Sequence, residues 1–114
     1  RFEAEEIEKS ILEIPEISLA SVLSIFLNQR KEIICFYSVH KGNRITENQI
    51  REFLKQRIQS FAIPDRFYQI EEFPLNSNSK IDLNKLEKWA IEKIESENKN
   101  SIPIRDTFLR SILK

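Results

Sequence analysis

Apolar residues recur along this chain in two rhythms, and the switch between them lays out its elements. Ile7, Ile11, Leu12 and Ile14 return at near-helical spacing, which predicts a helix over about residues 5–14, stopped by Pro15. "SLASVLSIFL" (18–27) and "EIICFYSV" (32–39) are rich in β-branched, Leu and aromatic residues and read as strands. The intervening "NQRK" suits a hairpin connection. In the second strand Ile33, Cys35, Tyr37 and Val39 point one way while Ile34 and Phe36 point the other. Both sets are apolar, so both faces of the sheet are expected to be covered, most simply by helices. Cys35 then belongs to the core and is inert.

The next helix has the clearest local signature. Thr46 is a good N-cap, Gln49 completes a capping box, and Ile45 and Ile50 occupy the positions of a hydrophobic staple. Ile50, Phe53, Leu54, Ile58 and Phe61 continue as one stripe over about 46–60, and Pro64 bars extension. "RFYQIEEF" (66–73) predicts a third strand, "PLNSNSKID" (74–82) a polar turn, and Asp82 the cap of a third helix carrying Leu86, Trp89, Ala90 and Ile94. A strand–helix–strand step thus falls between residues 32 and 73, right-handed if its strands are parallel neighbours. The expected fold class is α+β, a small three-stranded mixed sheet that includes a hairpin and is flanked by helices. Residues 1–94 form the domain, 95–103 a polar linker opening on "ESENKNS", and 104–114 a terminal amphipathic helix with Phe108, Leu109, Ile112 and Leu113 on one side.

Composition narrows the function classes. With 114 residues the chain can build one domain with a modest core. Eighteen basic residues balance eighteen acidic ones, which argues against nucleic-acid binding through a strong basic field. The strands also lack an aromatic cluster beside a basic one, which disfavours a small RNA-binding domain. No apolar run is long enough to span a membrane, and "RFEAEEIEKS" is too acidic for a secretory or organellar leader. The lone Cys35 cannot form an internal disulfide, so a reducing cytoplasm is the expected compartment. One His and one Cys cannot build a His/Cys metal site, and a single glycine, Gly42, excludes a glycine-rich phosphate loop. His40, at a strand end, is a poor candidate for a catalytic triad. The carboxylates Glu3, Glu5, Glu6 and Glu8 are accounted for by the dipole of the first helix. The one placement that asks for chemistry is Lys80, a single cation in the polar turn two residues before Asp82. Read by itself, a turn lysine is most often merely solvated, and Asp82 as a cap needs no further role.

Four stretches, in order and in register, add to this. "RFEAEEIE" (1–8) resembles Arg-Ile-Glu-x-x-Glu-Ile-Glu, the hairpin 18–39 matches the strands that follow it, "FAIPDRF" (61–67) resembles Tyr-Met-Ile-Pro-x-x-Phe, and "PLNSNSKID" resembles Pro-Leu-Thr-x-Asn-Gly-Lys-Val-Asp. Together, over residues 1 to about 90, they resemble the C-terminal subdomain of adenylate-forming enzymes, above all amino-acid adenylation domains of nonribosomal peptide synthetases. The resemblance implies that Lys80 enters the active site of a larger N-terminal subdomain and serves aminoacyl-adenylate formation. It implies ATP and Mg held mainly by that subdomain, and rotation of this one for transfer to the phosphopantetheine of a peptidyl carrier domain, with residues 1–6 near the second-step face. The chain alone is expected to be inactive. Residues 104–114 either belong here or lead into a carrier domain.

The match has departures. The family's glycine before the lysine is Ser79, and Ala4 and Glu5 replace a Leu and a Gly of the first motif. Two other branches, a D-alanine–carrier-protein ligase and acyl-CoA synthetases, share the general pattern. Asn78, Asp82 and the short "NQRK" loop favour amino-acid activation. A non-catalytic α+β interaction module is the alternative from a different class.

Overall fold

A computed structural model describes residues 3–100, with side chains as far as Glu97. The expected 104–114 helix, the end of the expected linker, and Arg1 and Phe2 of the first motif lie outside the described residues. The elements run α1 (Ala4–Ile11), β1 (Ile17–Leu27), β2 (Arg30–Val39), α2 (Glu47–Lys55), a 3-10 turn (Ser60–Ala62), β3 (Arg66–Gln69) and α3 (Leu83–Asn100). The α+β class and the three-stranded mixed sheet are as expected. The strand order is β1-β2-β3, with β1 antiparallel to β2 and β2 parallel to β3.

The hairpin connection is tighter than the four residues expected. Leu27 pairs with Arg30, leaving only Asn28 and Gln29 as the loop, at φ 54° and 64°. Two consecutive left-handed residues match the twist of the flanking strands, and Asn tolerates that conformation better than most residues.

The strand β2 is central and buried on both faces. On one face Ile33, Cys35 and Tyr37 join Ala20 and Val22 of β1, Ile7 and Ile11 of α1, Ile50 and Leu54 of α2, and Phe67 of β3 in a single cluster. On the other, Ile34 and Phe36 are fully buried, and the Tyr68 ring lies 5.6 Å from that of Phe36. On this second face the Arg66 guanidinium, raised in pKa chiefly by its hydrogen bond to Glu32, meets the Glu32 carboxylate at 2.7 Å. The Cys35 thiol, pushed up in pKa by burial, sits wholly inside the core.

Polar side chains set the strand edges. The Ile33 N–H donates to Asp65 Oδ2 at 2.8 Å and the Asp65 N–H donates to the Ile33 carbonyl at 2.8 Å, which starts the parallel ladder. From α2, Arg51 donates to the carbonyls of Pro64 and Asp65 at 3.0 and 2.9 Å, and its guanidinium stacks over Phe67. At the free edge of β1 the Val22 N–H donates to Glu8 Oε2 at 2.7 Å, so α1 satisfies a donor that an edge strand would leave open. Glu8 therefore does more than complement the helix dipole.

Several boundaries move. The first helix ends at Ile11, not Ile14, because the residue before Pro15 is disfavoured in the helical region. The chain closes instead through i→i−3 bonds from Glu13 to Ser10 and Ile14 to Ile11, and Ile14 stays buried. The capping box of α2 forms as expected, Gln49 N–H to Thr46 Oγ1 and Thr46 N–H to Gln49 Oε1. The helix nevertheless stops at Lys55, where Gln56 and Arg57 reach back only three residues. Phe61, beyond that break, falls off the expected stripe and is 68% exposed. β3 stops at Gln69, opposite Tyr37, two residues before β2 itself ends, and the Ile70 N–H makes a last bond to the Tyr37 carbonyl. The residues up to Leu83 form one unit and those from Asn84 a second. In the second, Leu86, Ala90 and Ile94 are buried on one stripe of α3. That helix runs to Asn100 through residues expected as linker, since "ESENKN" holds strong helix formers and the next proline is Pro103. Among the described residues no helix is long and apolar enough to cross a membrane.

The Glu8 carboxyl is raised in pKa by burial, partly offset by the Val22 bond and reinforced by nearby Glu5. A carboxyl raised in the folded state contributes most below its ordinary value of 4.5 and loses that contribution as pH rises through the folded value. Glu8→Gln, which keeps the acceptor without the charge, should therefore gain stability relative to the native chain as pH rises from roughly 4 to roughly 7 in urea unfolding. A constant difference between the two proteins would contradict the assignment.

Candidate active-site hairpin

The segment after β3 folds into a small hairpin of its own. Leu75 and Ile81 form an isolated antiparallel bridge, and the Asp82 N–H donates to the Pro74 carbonyl at 2.8 Å. Inside that bridge the Asn76 N–H donates to the Lys80 carbonyl at 2.7 Å and the Ser79 N–H to the Asn76 carbonyl at 3.0 Å. The loop is thus Ser77, Asn78 and Ser79, with its last residue left-handed at φ 65°. Three-residue hairpin loops of this pattern place glycine at that position, because a Cβ is costly there. Here Ser79 holds it, so the departure from the family motif changes the residue and keeps the left-handed backbone.

The Asn76 side chain ties the loop together. Its Oδ1 accepts the Asn78 N–H at 2.8 Å and the Lys80 N–H at 3.2 Å. Sequence reading did not single out Asn76, although Asn at the first position of a turn signals this side-chain-to-backbone bonding.

Lys80 stands at the end of this loop with its side chain exposed. Among the described residues no carboxylate forms an ion pair with it. Leu75 and Leu83, on either side of the loop in sequence, are 61% and 55% exposed. Asp82 is half-buried directly before α3, in the position expected of a helix cap. His40 is exposed, and its N–H donates to the Glu16 carbonyl at the end of the hairpin, a strand-end role. Among the described residues no group of three or more His, Cys, Asp or Glu could hold a metal ion.

A model of the family described as AMP-binding enzyme C-terminal domain matches residues 6–80, and its match ends on Lys80. The chain belongs to this family. As an AMP-binding enzyme C-terminal domain it is similar to segments of much longer proteins. It is 35% identical over 82 residues to bacitracin synthase 2 of Bacillus licheniformis, a match covering 72% of this chain and 3% of that protein. It is 33% identical over 82 residues to gramicidin S synthase 2 of Brevibacillus brevis, covering 72% of this chain and 2% of that one. Among solved structures, amide bond synthetase McbA from Marinactinospora thermotolerans shares the fold at TM-score 0.72 and 17% identity, over 77% of this chain and 18% of that chain. A Mycobacterium tuberculosis fatty acyl CoA synthetase does so at TM-score 0.68 and 22% identity, over 75% and 17%. These structural likenesses establish the AMP-binding C-terminal fold, and the closer sequence likeness is to peptide synthases.

Ser79→Gly removes a left-handed cost of order 1–2 kcal/mol and adds a smaller entropic one, so it should stabilise the domain by about 0.5–1 kcal/mol. Urea unfolding of the two proteins measures this, and a loss of stability would mean that the Ser79 side chain makes a compensating interaction.

Proposed function

We propose that this domain is the lid of an ATP-dependent, amino-acid-activating ligase of the nonribosomal peptide synthetase kind, and that Lys80 is the cation it carries to the reaction centre. The observation that carries this reading is the lysine itself. A cation at the end of a hydrogen-bonded hairpin, exposed and without an ion pair among the described residues, is available to another domain's active site. A permanent buried salt bridge would return little net stability and would occupy the charge.

The chemistry needs such a group. An amino acid carboxylate must attack the α-phosphate of ATP, forming a carboxyl–phosphate bond and releasing pyrophosphate. Two anions approach, and negative charge grows on the phosphoryl oxygens. A fixed ammonium in a water-poor site offsets both, an effect typically worth about 3 kcal/mol, or roughly a hundredfold in rate. On this reading Mg and most contacts to ATP belong to an N-terminal subdomain. Lys80 is then this chain's own contribution to the first half-reaction. For the second, the domain turns, withdraws the lysine, and admits the thiol of a carrier domain's phosphopantetheine. The similarity to peptide synthases supports a nonribosomal peptide synthetase over an acyl-CoA synthetase or a D-alanine–carrier-protein ligase.

In the full-length protein, Lys80→Ala should lower substrate-dependent pyrophosphate exchange by roughly a hundredfold or more. Single-turnover thiol transfer from supplied aminoacyl-adenylate should change far less. Lys80→Arg should also be poor, because a planar fork does not replace a compact ammonium. Equal losses in both half-reactions would show that Lys80 supports the fold or acts throughout, and would overturn the role.

A further inference from the structure

Lys80 can serve a reaction only if the loop behind it is fixed, and the hairpin shows what fixes it. The loop has an intrinsic weakness. Ser79, immediately before the lysine, is left-handed at φ 65°. A residue with a Cβ prefers to leave that region, and leaving it would swing the Lys80 backbone out of register with Asn76. The bonds that oppose this converge on one side chain. Asn76 Oδ1 accepts from Asn78 and Lys80, the residues on either side of Ser79, at 2.8 and 3.2 Å. The Asn76 main chain closes the same loop, receiving the Ser79 N–H and donating to the Lys80 carbonyl. One carboxamide oxygen thus pins both flanks of the strained residue.

We infer that Asn76 is a positioning residue for Lys80, its carboxamide holding the left-handed Ser79 in place so that the lysine is presented in one geometry. This rests on the proposed role of the lysine. It adds that the residue types at 76 and 79 are coupled. A glycine at 79 adopts the left-handed conformation without help and makes the carboxamide dispensable, whereas serine makes it necessary. The carboxamide never touches substrate, so its effect appears only in the half-reaction that uses Lys80.

The experiment is a double-mutant cycle in the full-length protein. Asn76→Ala should lower pyrophosphate-exchange kcat by about tenfold to a hundredfold, the scale of a misplaced catalytic group. Thiol transfer from supplied adenylate should stay within about twofold, since it uses the other conformation. Ser79→Gly alone should leave exchange within about twofold, and added to Asn76→Ala it should restore most of the lost rate, a strong non-additivity. Full activity in Asn76→Ala, equal losses in both half-reactions, or no restoration by Ser79→Gly would each overturn the inference. Lys80→Ala in the same assay separates this from the lysine's role: if that variant is fully active, the lysine reading has failed. Amide hydrogen exchange then judges Asn76 by itself. The Asn78 and Lys80 amides should exchange at least about tenfold faster in Asn76→Ala, because their acceptor is gone. Unchanged exchange would refute the clamp.

Discussion

Strand β2 carries Ile33, Ile34, Cys35, Phe36 and Tyr37 in succession, all buried, so neither face of it can meet water. Its backbone must also be paired on both sides. β1 supplies one side through a two-residue hairpin, and β3 supplies the other in parallel after a crossover that contains α2. Because a parallel partner cannot follow a tight turn, the chain has to leave the sheet, and on its return it needs a device that starts the ladder at the right residue. Asp65 does this with its paired bonds to Ile33, and Arg51 holds the approach by binding the carbonyls of Pro64 and Asp65 just before β3. The direction in which the chain leaves β3 follows from that register, and the lysine hairpin begins a few residues after β3 ends.

Much of this was legible because it is local or periodic. The two strands, the Thr46–Gln49 capping box and the doubly apolar pattern of β2 depend on neighbours within a few residues. The element ends depend on partners far along the chain, and they shifted. β3 was expected to reach Phe73, but its pairing with β2 ends at Gln69 opposite Tyr37, a limit that no local pattern in the sequence marks. Phe61 was placed on a helical stripe whose helix had already ended at Lys55. The tie from Glu8 to Val22 and the pair Glu32–Arg66 join residues distant in sequence, and no spacing rule marks them.

At the candidate site, Lys80 was singled out by its turn and by the motif around it, while the residue that shapes the turn was not. Asn76 looks like any polar loop residue until its oxygen is seen between the amides of Asn78 and Lys80. Ser79 looked like a loss of the motif's glycine. Its φ of 65° shows that the backbone keeps the conformation for which glycine is usual. The division of labour fits the proposed role: a sheet with a buried central strand gives rigidity, a hairpin outside it gives reach, and among the described residues no carboxylate pairs with the cation.

The central claim is that Lys80 leaves solvent and engages the reacting groups in one orientation of the domain. A crystal structure of the full-length protein with a non-hydrolysable aminoacyl-adenylate analogue tests it directly. The account predicts the Lys80 Nζ within hydrogen-bond distance, about 2.7–3.2 Å, of the phosphate or acyl oxygens of the analogue. A complex in which the hairpin closes over the analogue but another cation occupies that position, with Lys80 still in solvent, would contradict it.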